Sequence, residues 1–404
     1  MPDQPAATPN GDRHLEVLRL RLGRKLSGFT AEIPEENART PMASYKPVRA
    51  LFPVPELVLF ALREGLGWQW HGHGEKVRWT VYGAIDGQRV AFEHQKFGFT
   101  VFLPKERLDL RSRVEGQLRG ALRLVEAYLR PFAKAQVDQG EVMIVNRFIE
   151  FDERYRFHRE LADVAYRRAA EPQPPKASGD ESHDERTRAR LISLDMTERI
   201  NAILSAEREG FFHSTAMIDA YFSCLEHRLV LLRAFMGRPF AQGEVLGLLG
   251  MKWADKLKLV LPTPLPADAA QVVARMRRIK ERIRNPFAHG GVENDQGSLF
   301  FRLPGIGSVP GNFTRFGDSV RFSMLPVDAD DHAESCATFD ALDALLAAGD
   351  LVGPDQFIKG TVDPVFDAQH CAQYAKVIAG GLDDIEAYID VWSHRWERHA
   401  NMDY

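Results

Sequence analysis

Residues 275–291 read R-M-R-R-I-K-E-R-I-R-N-P-F-A-H-G-G. Val272, Met276, Ile279 and Ile283 fall at helical spacing and form one apolar stripe. Arg275, Arg277, Arg278, Lys280, Arg282 and Arg284 occupy the other faces, and Glu281 is the one acid among them. Pro286 disfavours helical geometry at the residue before it, so the helix is expected to end near Arg284. Asn285 is then placed to cap a new turn with Pro286 at its first position, and Gly290-Gly291 ends that turn. Arg284 and His289 therefore stand on either side of a rigid break, anchored by the apolar stripe and by Phe287.

An arginine and a histidine held this close suit cleavage of RNA without a metal. The ribose 2′-hydroxyl must lose its proton to a base, and charge builds on the phosphate as the 2′-oxygen attacks. Histidine titrates near neutral pH and serves as base or acid. Arginine stays protonated and grips phosphate through two parallel hydrogen bonds. The basic helix leading in, with Arg277, Arg278, Lys280 and Arg282, is suited to hold the RNA backbone on both sides of the cut.

The string I-R-N-P-F-A-H-G-G (residues 283–291) closely resembles the signature of the HEPN superfamily, in which an Arg is followed by a polar residue, a short spacer and a His. Arg284, Asn285 and His289 occupy those three positions. The resemblance covers roughly the second half of the chain. It implies an all-helical, usually dimeric domain, and many members are metal-independent ribonucleases of toxin–antitoxin and phage-defence systems. Their composite site forms where two motifs face each other across a homodimer. By this resemblance His289 is the general base or acid and Arg284 holds the scissile phosphate. Asn285 orients one of them or caps the turn. Some members bind RNA or nucleotides without cutting. A non-catalytic binding and dimerisation module working with a partner protein is therefore the alternative to an endoribonuclease.

Working back from the motif, Ser214 begins a long helix with Ile218, Phe222, Leu225, Leu229, Leu232 and Met236 on one face, ended by Gly237 and Pro239. Glu226 lies on it. Acidic residues on the first long helix orient a catalytic group in some HEPN members, whereas a solvent-facing carboxylate is the plain reading. A preceding helical segment, Leu191 to Leu204, is expected to break at Gly210. Glu244–Leu249 and Trp253–Leu259 are short helices. The order of long helix, short connectors, basic helix and motif is that of a HEPN bundle.

Beyond the motif, Ser298–Leu303 and Ser319–Leu325 read as strands joined by the glycine-rich loop G-I-G-S-V-P-G-N-F. This predicts a β-hairpin inserted near 298–325, either a substrate-touching element or a packing flap. Arg302, Arg315 and Arg321 are candidate phosphate contacts there. Thr338–Ala348 is a short helix. Ala368–Ala400 is a long one bent at Gly380-Gly381, with Ile385, Ile389, Trp392 and Trp396 on one face. That stripe closes the bundle or contributes to a dimer interface.

The boundary between domains is placed at 171–187, where E-P-Q-P-P-K-A-S-G-D-E-S-H-D-E-R-T carries three prolines and a polar run. Residues 188–404 form the helical domain, and 1–170 form an accessory α+β domain. In the latter, the alternation of Leu18, Leu20 and Leu22 with charge predicts a strand after an irregular lead to Asp12. Pro55–Arg63 reads as a short helix. Val77–Ile85, Gln88–His94 and Phe97–Leu103 are strands, with Asp86-Gly87 as a hairpin turn. Val114, Leu118, Leu122, Val125 and Leu129 line a helix ended by Pro131, Val142–Phe151 is a further strand, and Asp152–Arg168 is helical. The role of this domain is open among sensing a trigger, recruiting a substrate, binding an inhibitor or antitoxin, and assembly.

Composition narrows the classes. The chain has 404 residues, 45% hydrophobic and 27% charged, as soluble globular chains do. A formal net charge of −4 argues against wholesale nucleic-acid coating, so any basic surface is local. Cys224, Cys336 and Cys371 are scattered and odd in number, which fits a reducing cytoplasmic setting. No apolar run approaches the ~20 residues that span a bilayer, so no membrane partner is expected. His71 and His73, or His332 with Cys336, His370 and Cys371, lack the spacing of a metal site, and no cofactor motif is present.

Overall fold

The computed structural model describes residues 9–172, 185–285, 299–313, 320–321, 325 and 327–402. The chain divides into two compact units: Met1–Gln139 with Asp390–Tyr404, and Gly140–Ile389. The expected boundary at 171–187 thus falls inside the second unit, because the helices on either side of it pack along each other. Residues 173–184 lie outside the described residues.

The first unit is α+β. Helix α1 (Pro9–Lys25) occupies the stretch where a strand was expected. Its buried residues are Leu18 and Leu22, followed by Leu26 beyond its end, four apart as on one helix face, while Leu20 is 68% exposed. The alternation of Leu20 with its neighbours was incidental to that longer period. Residues 9–12 of the expected irregular lead are helical, and 1–8 lie outside the described residues. Strands β1 (Phe29–Thr30) and β2 (Met42–Tyr45) precede helix α2 (Glu56–Phe60), which continues in a π turn, Ala61–Gly65. Strands β3 (Gln69–His71), β4 (Val77–Ile85), β5 (Gln88–Gln95) and β6 (Gly98–Pro104) follow.

The sheet order is β1-β4-β5-β6-β2, with β3 also on β4, and every pairing is antiparallel. Asp86-Gly87 turns β4 into β5 with φ of 50° and 77°, the two positive values a two-residue hairpin of matching twist requires. Helix α3 (Arg111–Gln139) lays Val114, Leu118, Ala121, Leu122 and Val125 in one core with α1, α2 and the sheet. It was expected to stop at Pro131 but runs on through it. The turns beyond are largely exposed, so a carbonyl that loses its partner to the proline reaches water.

The second unit is helical with a small sheet. Residues 142–147, expected as a strand, are extended but form only one bridge, Met143 to Val365. Asn146 takes over the pairing instead: Nδ2 donates to the carbonyls of Ile358 and Val362 at 2.9 and 3.2 Å. Helix α4 (Phe148–Ala170) then packs along α5 (Glu185–Phe235), whose 51 residues extend about 77 Å. Gly210 does not break α5. It lies where Tyr166 of α4 crosses, and a Cβ there would be 2.7 Å from the ring. Gly237 does end the helix, with φ 70° and the paired bonds Gly237 N–H to Ala234 O and Arg238 N–H to Arg233 O.

Short helices α6 (Glu244–Gly250) and α7 (Trp253–Val260) lead to α8 (Ala267–Ile279), which passes into a π turn, Lys280–Arg284. The glycine-rich segment expected as a hairpin loop is itself the middle strand. β7 (Leu299–Leu303) pairs with β8 (Gly307–Phe313), and β8 with β9 (Val320–Arg321). Gly305 and Gly307, at φ of 77° and 107°, make a tight turn that frees Ser308–Phe313 to pair.

Helix α9 (Ala329–Leu346) starts well before Thr338, because Asp328 and Asp331 form a reciprocal capping box. Helices α10 (Val352–Lys359), α11 (Ala368–Gly380) and α12 (Leu382–Asn401) complete the chain. Gly381 at φ 102° separates the last two, where the bend was expected. On α12 Ile385 is buried, Ile389 and Trp392 are half-buried, and Trp396 is 57% exposed. Arg228 of α5 reaches Asp343 of α9 at 2.9 Å and Asp355 of α10 at 2.6 Å, a nearly solvent-free ionic tie across three helices. No helix among the described residues is long and apolar enough to cross a membrane.

Candidate functional site around Arg284

Helix α8 presents its sides much as its sequence implies. Val273, Met276 and Ile279 are buried, with Ile283 on the π turn, while Val272 is only half-buried. The buried stripe therefore starts one residue later than expected. Arg275, Arg277 and Arg278 are exposed. The side chain of Arg282 lies outside the described residues.

The π turn fixes the backbone at Asn285. Its closing bond runs from Asn285 N–H back to Lys280 O, and Asn285 is helical at φ −64°, ψ −45°. Asn285 thus continues the helix instead of capping a new turn. The bond to Lys280 outweighs the extended preference that Pro286 imposes. Residues 286–298, His289 among them, lie outside the described residues, as does Arg315.

Arg284 is half-buried against α5. Its Nε donates to Asp219 Oδ1 at 3.3 Å, and its guanidinium carbon lies 5.9 Å from the Phe222 ring centre. No hydrogen bond joins its terminal Nη atoms to a described residue, so they are placed to bind an anion bidentately. Lys280, four residues earlier, sets Nζ 5.6 Å from the Phe222 ring and 5.8 Å from that of Trp253. Burial, then the nearby Arg284 charge, holds the Lys280 ammonium below the usual lysine range. Glu226 opposes this, and Lys252 and Lys256 add to it. Burial also lowers Lys256, whose Nζ donates to Leu249 O at 3.2 Å and stands 3.9 Å from Glu226 Oε2.

Four cations from two segments of the chain, Lys252 and Lys256 on one and Lys280 and Arg284 on the other, therefore gather around two aromatic rings and two carboxylates. Glu226 belongs to this cluster through Lys256 and is not simply solvated. Such a set is built to receive an anion: the lysines share an unfavourable mutual field that a phosphate would relieve, and the rings shield them from competing water.

Asp219, Lys252, Lys256 and Trp253 escaped sequence reasoning as site residues. Trp253 and Lys256 sit three apart on α7, as Asp219 and Phe222 do on α5, so each pair shares a helix face. That the faces meet at Arg284 is tertiary information.

Neighbouring histidines have structural partners. His227 Nε2 accepts from the N–H of Arg147 at 2.9 Å, satisfying the backbone at the start of α4. Burial, then Arg147, pushes its pKa down to about 4. His332 joins Ser214 Oγ through Nδ1 and Asp163 Oδ1 through Nε2, both at 2.9 Å. This relay has the membership of a hydrolase triad but the wrong exposure, since Ser214 is fully buried and cannot meet a substrate. His332 also lies 3.6 Å from Cys336 Sγ, whereas His370 bonds Asp367 and Cys371 Sγ points to Val365 O. His71 bonds Tyr82. Among the described residues no three metal-ligating side chains are grouped.

No family model, curated protein or solved structure matches this chain.

Proposed function

We propose that the second unit is a HEPN-type, metal-independent endoribonuclease, acting as a homodimer on RNA in the cytoplasm as a toxin or anti-phage defence effector. The observation that carries this reading is the bracing of Arg284. One carboxylate fixes its Nε, an aromatic face backs it, and its Nη atoms are left for a phosphate at the end of a basic helix.

In this mechanism the Arg284 guanidinium takes the two non-bridging oxygens of the scissile phosphate, with Lys280 adding charge beside it. His289, five residues on in the sequence, removes the 2′-hydroxyl proton. The 2′-oxygen attacks phosphorus, the bond to the 5′-oxygen breaks, and the departing oxygen takes up a proton. The products are a 2′,3′-cyclic phosphate and a 5′-hydroxyl end. Arg277, Arg278 and Arg282 contact flanking phosphates, and Glu226 holds the lysine side of the cluster in register. A nuclease of this kind needs restraint, and the first unit is the place for a trigger or inhibitor to act.

The test is incubation of the purified chain with total RNA in EDTA, beside His289→Ala and Arg284→Ala. Wild type should leave cyclic-phosphate ends. Each variant should lose activity by about 100-fold or more while keeping its melting temperature. Cleavage that survives His289→Ala would overturn the assignment. A wild type that binds RNA through Arg284 without cutting it would establish the non-catalytic alternative.

A further inference from the structure

We infer that the first unit carries a binding site for a phosphorylated nucleoside, in the cavity between the Lys46–Glu56 segment and the β5–β6 turn. The inference rests on the first unit alone and does not depend on the reading of Arg284.

The cavity measures about 730 Å³, within the usual range for small-molecule sites. Its walls are stiff. Pro47, Pro53 and Pro55 fix the segment on one side, and Phe52 and Phe99, both buried, lie with ring centres 5.2 Å apart as its floor.

Its charge is lopsided. Lys46, Arg49, Arg78 and Lys96 line it against a single carboxylate, Glu56. That carboxylate is already committed, accepting from His94 Nδ1 at 2.7 Å and from Arg78 Nη1 at 3.4 Å. Burial acts to raise the Glu56 pKa, and these partners together overcome it and hold the group at about 2. Arg78 also donates through Nη2 to His399, yet its Nε is buried and has no acceptor among the described residues. A buried orphan donor in a cationic wall is what an absent anion leaves behind. Arg49 is exposed at the rim and makes no ion pair to a described residue.

Phe97 selects the rest of the ligand. It sits at the tip of the β5–β6 turn, 77% exposed, with Gly98 at φ 112° turning the chain behind it. Lys46 Nζ and Lys96 Nζ stand 5.7 and 6.0 Å from its ring centre. Two ammonium groups beside an open aromatic face match a molecule with a flat base and a phosphate within one nucleotide length of it. A bare anion would use the lysines and leave the ring idle. An apolar ligand would leave four cations idle.

The experiment is calorimetric titration of the full chain, in EDTA, with ATP, adenosine, inorganic phosphate and a 5′-phosphorylated hexauridylate. ATP should bind more tightly than adenosine or phosphate alone. Phe97→Ala should weaken ATP binding by about 5- to 150-fold, the value of one base–aromatic stack, while leaving phosphate binding unchanged. Lys46→Glu with Arg49→Glu should weaken both. These side chains are exposed, so the variants should melt as wild type does. Tighter binding of the hexauridylate than of ATP would identify an RNA end as the source of the nucleotide, and the reverse a free nucleotide. The inference is overturned if ATP binds no better than phosphate, if Phe97→Ala leaves ATP affinity intact, or if no probe binds at millimolar concentration.

Discussion

Replacing Gly210 with alanine should destabilise the second unit, although helix propensity alone predicts the opposite sign. Gly210 is inside α5, where alanine is favoured over glycine by about 1 kcal/mol. A Cβ at this position would lie 2.7 Å from Tyr166 Cε1 and 2.8 Å from both Cδ1 and Cζ. The ring cannot swing away cheaply. It is buried, its hydroxyl donates to Val327 O at 3.2 Å, and it packs on His332. Overpacking of a tight core costs about 1–3 kcal/mol, and loss of the hydroxyl bond about 0.5–1.5 kcal/mol more. After the propensity gain, a net loss of about 1–3 kcal/mol is expected. For a unit of this size that is a fall of roughly 2–12 °C in melting temperature. Gly116 of α3 is the control, because a Cβ there meets nothing within 4 Å. Gly116→Ala should stabilise the first unit by about 0.5–1 kcal/mol. Scanning calorimetry of the two variants decides the matter: equal stabilisation by both would refute the close α4–α5 crossing at Tyr166.

Asp219→Ala should reduce RNA cleavage by about 10- to 100-fold by loosening Arg284. The pair is partly exposed, so the stability change should stay within about 1 kcal/mol, and a melt that falls with the activity would mark Asp219 as structural instead. Asp355→Ala should cost about 3–5 kcal/mol in urea unfolding by stranding the buried Arg228, and the double variant Arg228→Met with Asp355→Leu should cost less than the single one. His227 is held neutral to about pH 4, below its unfolded value, so the unfolded chain binds more protons between those limits and stability rises with pH there. Stability should fall by about 1–2 kcal/mol as pH drops from about 6.5 towards 4, and His227→Gln, which keeps an acceptor for Arg147 N–H, should flatten that slope.

How much of the fold is legible in the sequence depends on the range of the interactions involved. Asp86-Gly87 was legible because positive φ at two successive residues is a local demand that few dipeptides meet. The stripe on α8 and the end of α5 at Gly237 were legible for the same reason. Leu18, Leu20 and Leu22 misled because two periods coexist there, and only the core made by α3 and the sheet selects the fourfold one. Gly210 and Pro131 misled in opposite ways. Each is a helix breaker by propensity, and each is overruled, Gly210 by the close crossing of Tyr166 and Pro131 by exposed turns that lose little. The boundary at 171–187 was misplaced because a polar, proline-rich connection looks alike between two domains and between two packed helices.

The site divides along the same line. The cations of α8 are written close together in the chain, but the groups that give them chemistry are distant. Asp219 is 65 residues from Arg284, and Lys256 approaches Glu226 from another helix. A lone arginine on a basic helix is a solvated charge. Fixed at Nε by a carboxylate and backed by a ring, it has lost orientational freedom before any ligand arrives, and that entropy need not be spent on binding. The Lys280–Arg284 π turn contributes to this placement. By widening the helix it lets both side chains face Phe222, an alignment that the i, i+4 positions of a regular helix would splay by about 40°. The π turn is therefore part of the site's machinery. Deleting one residue from 280–284 to restore a regular helix should separate Arg284 from Asp219 while leaving the apolar stripe before it in place. RNA cleavage should then fall as far as in Asp219→Ala, and a deletion variant that cuts as wild type does would show that the turn is dispensable.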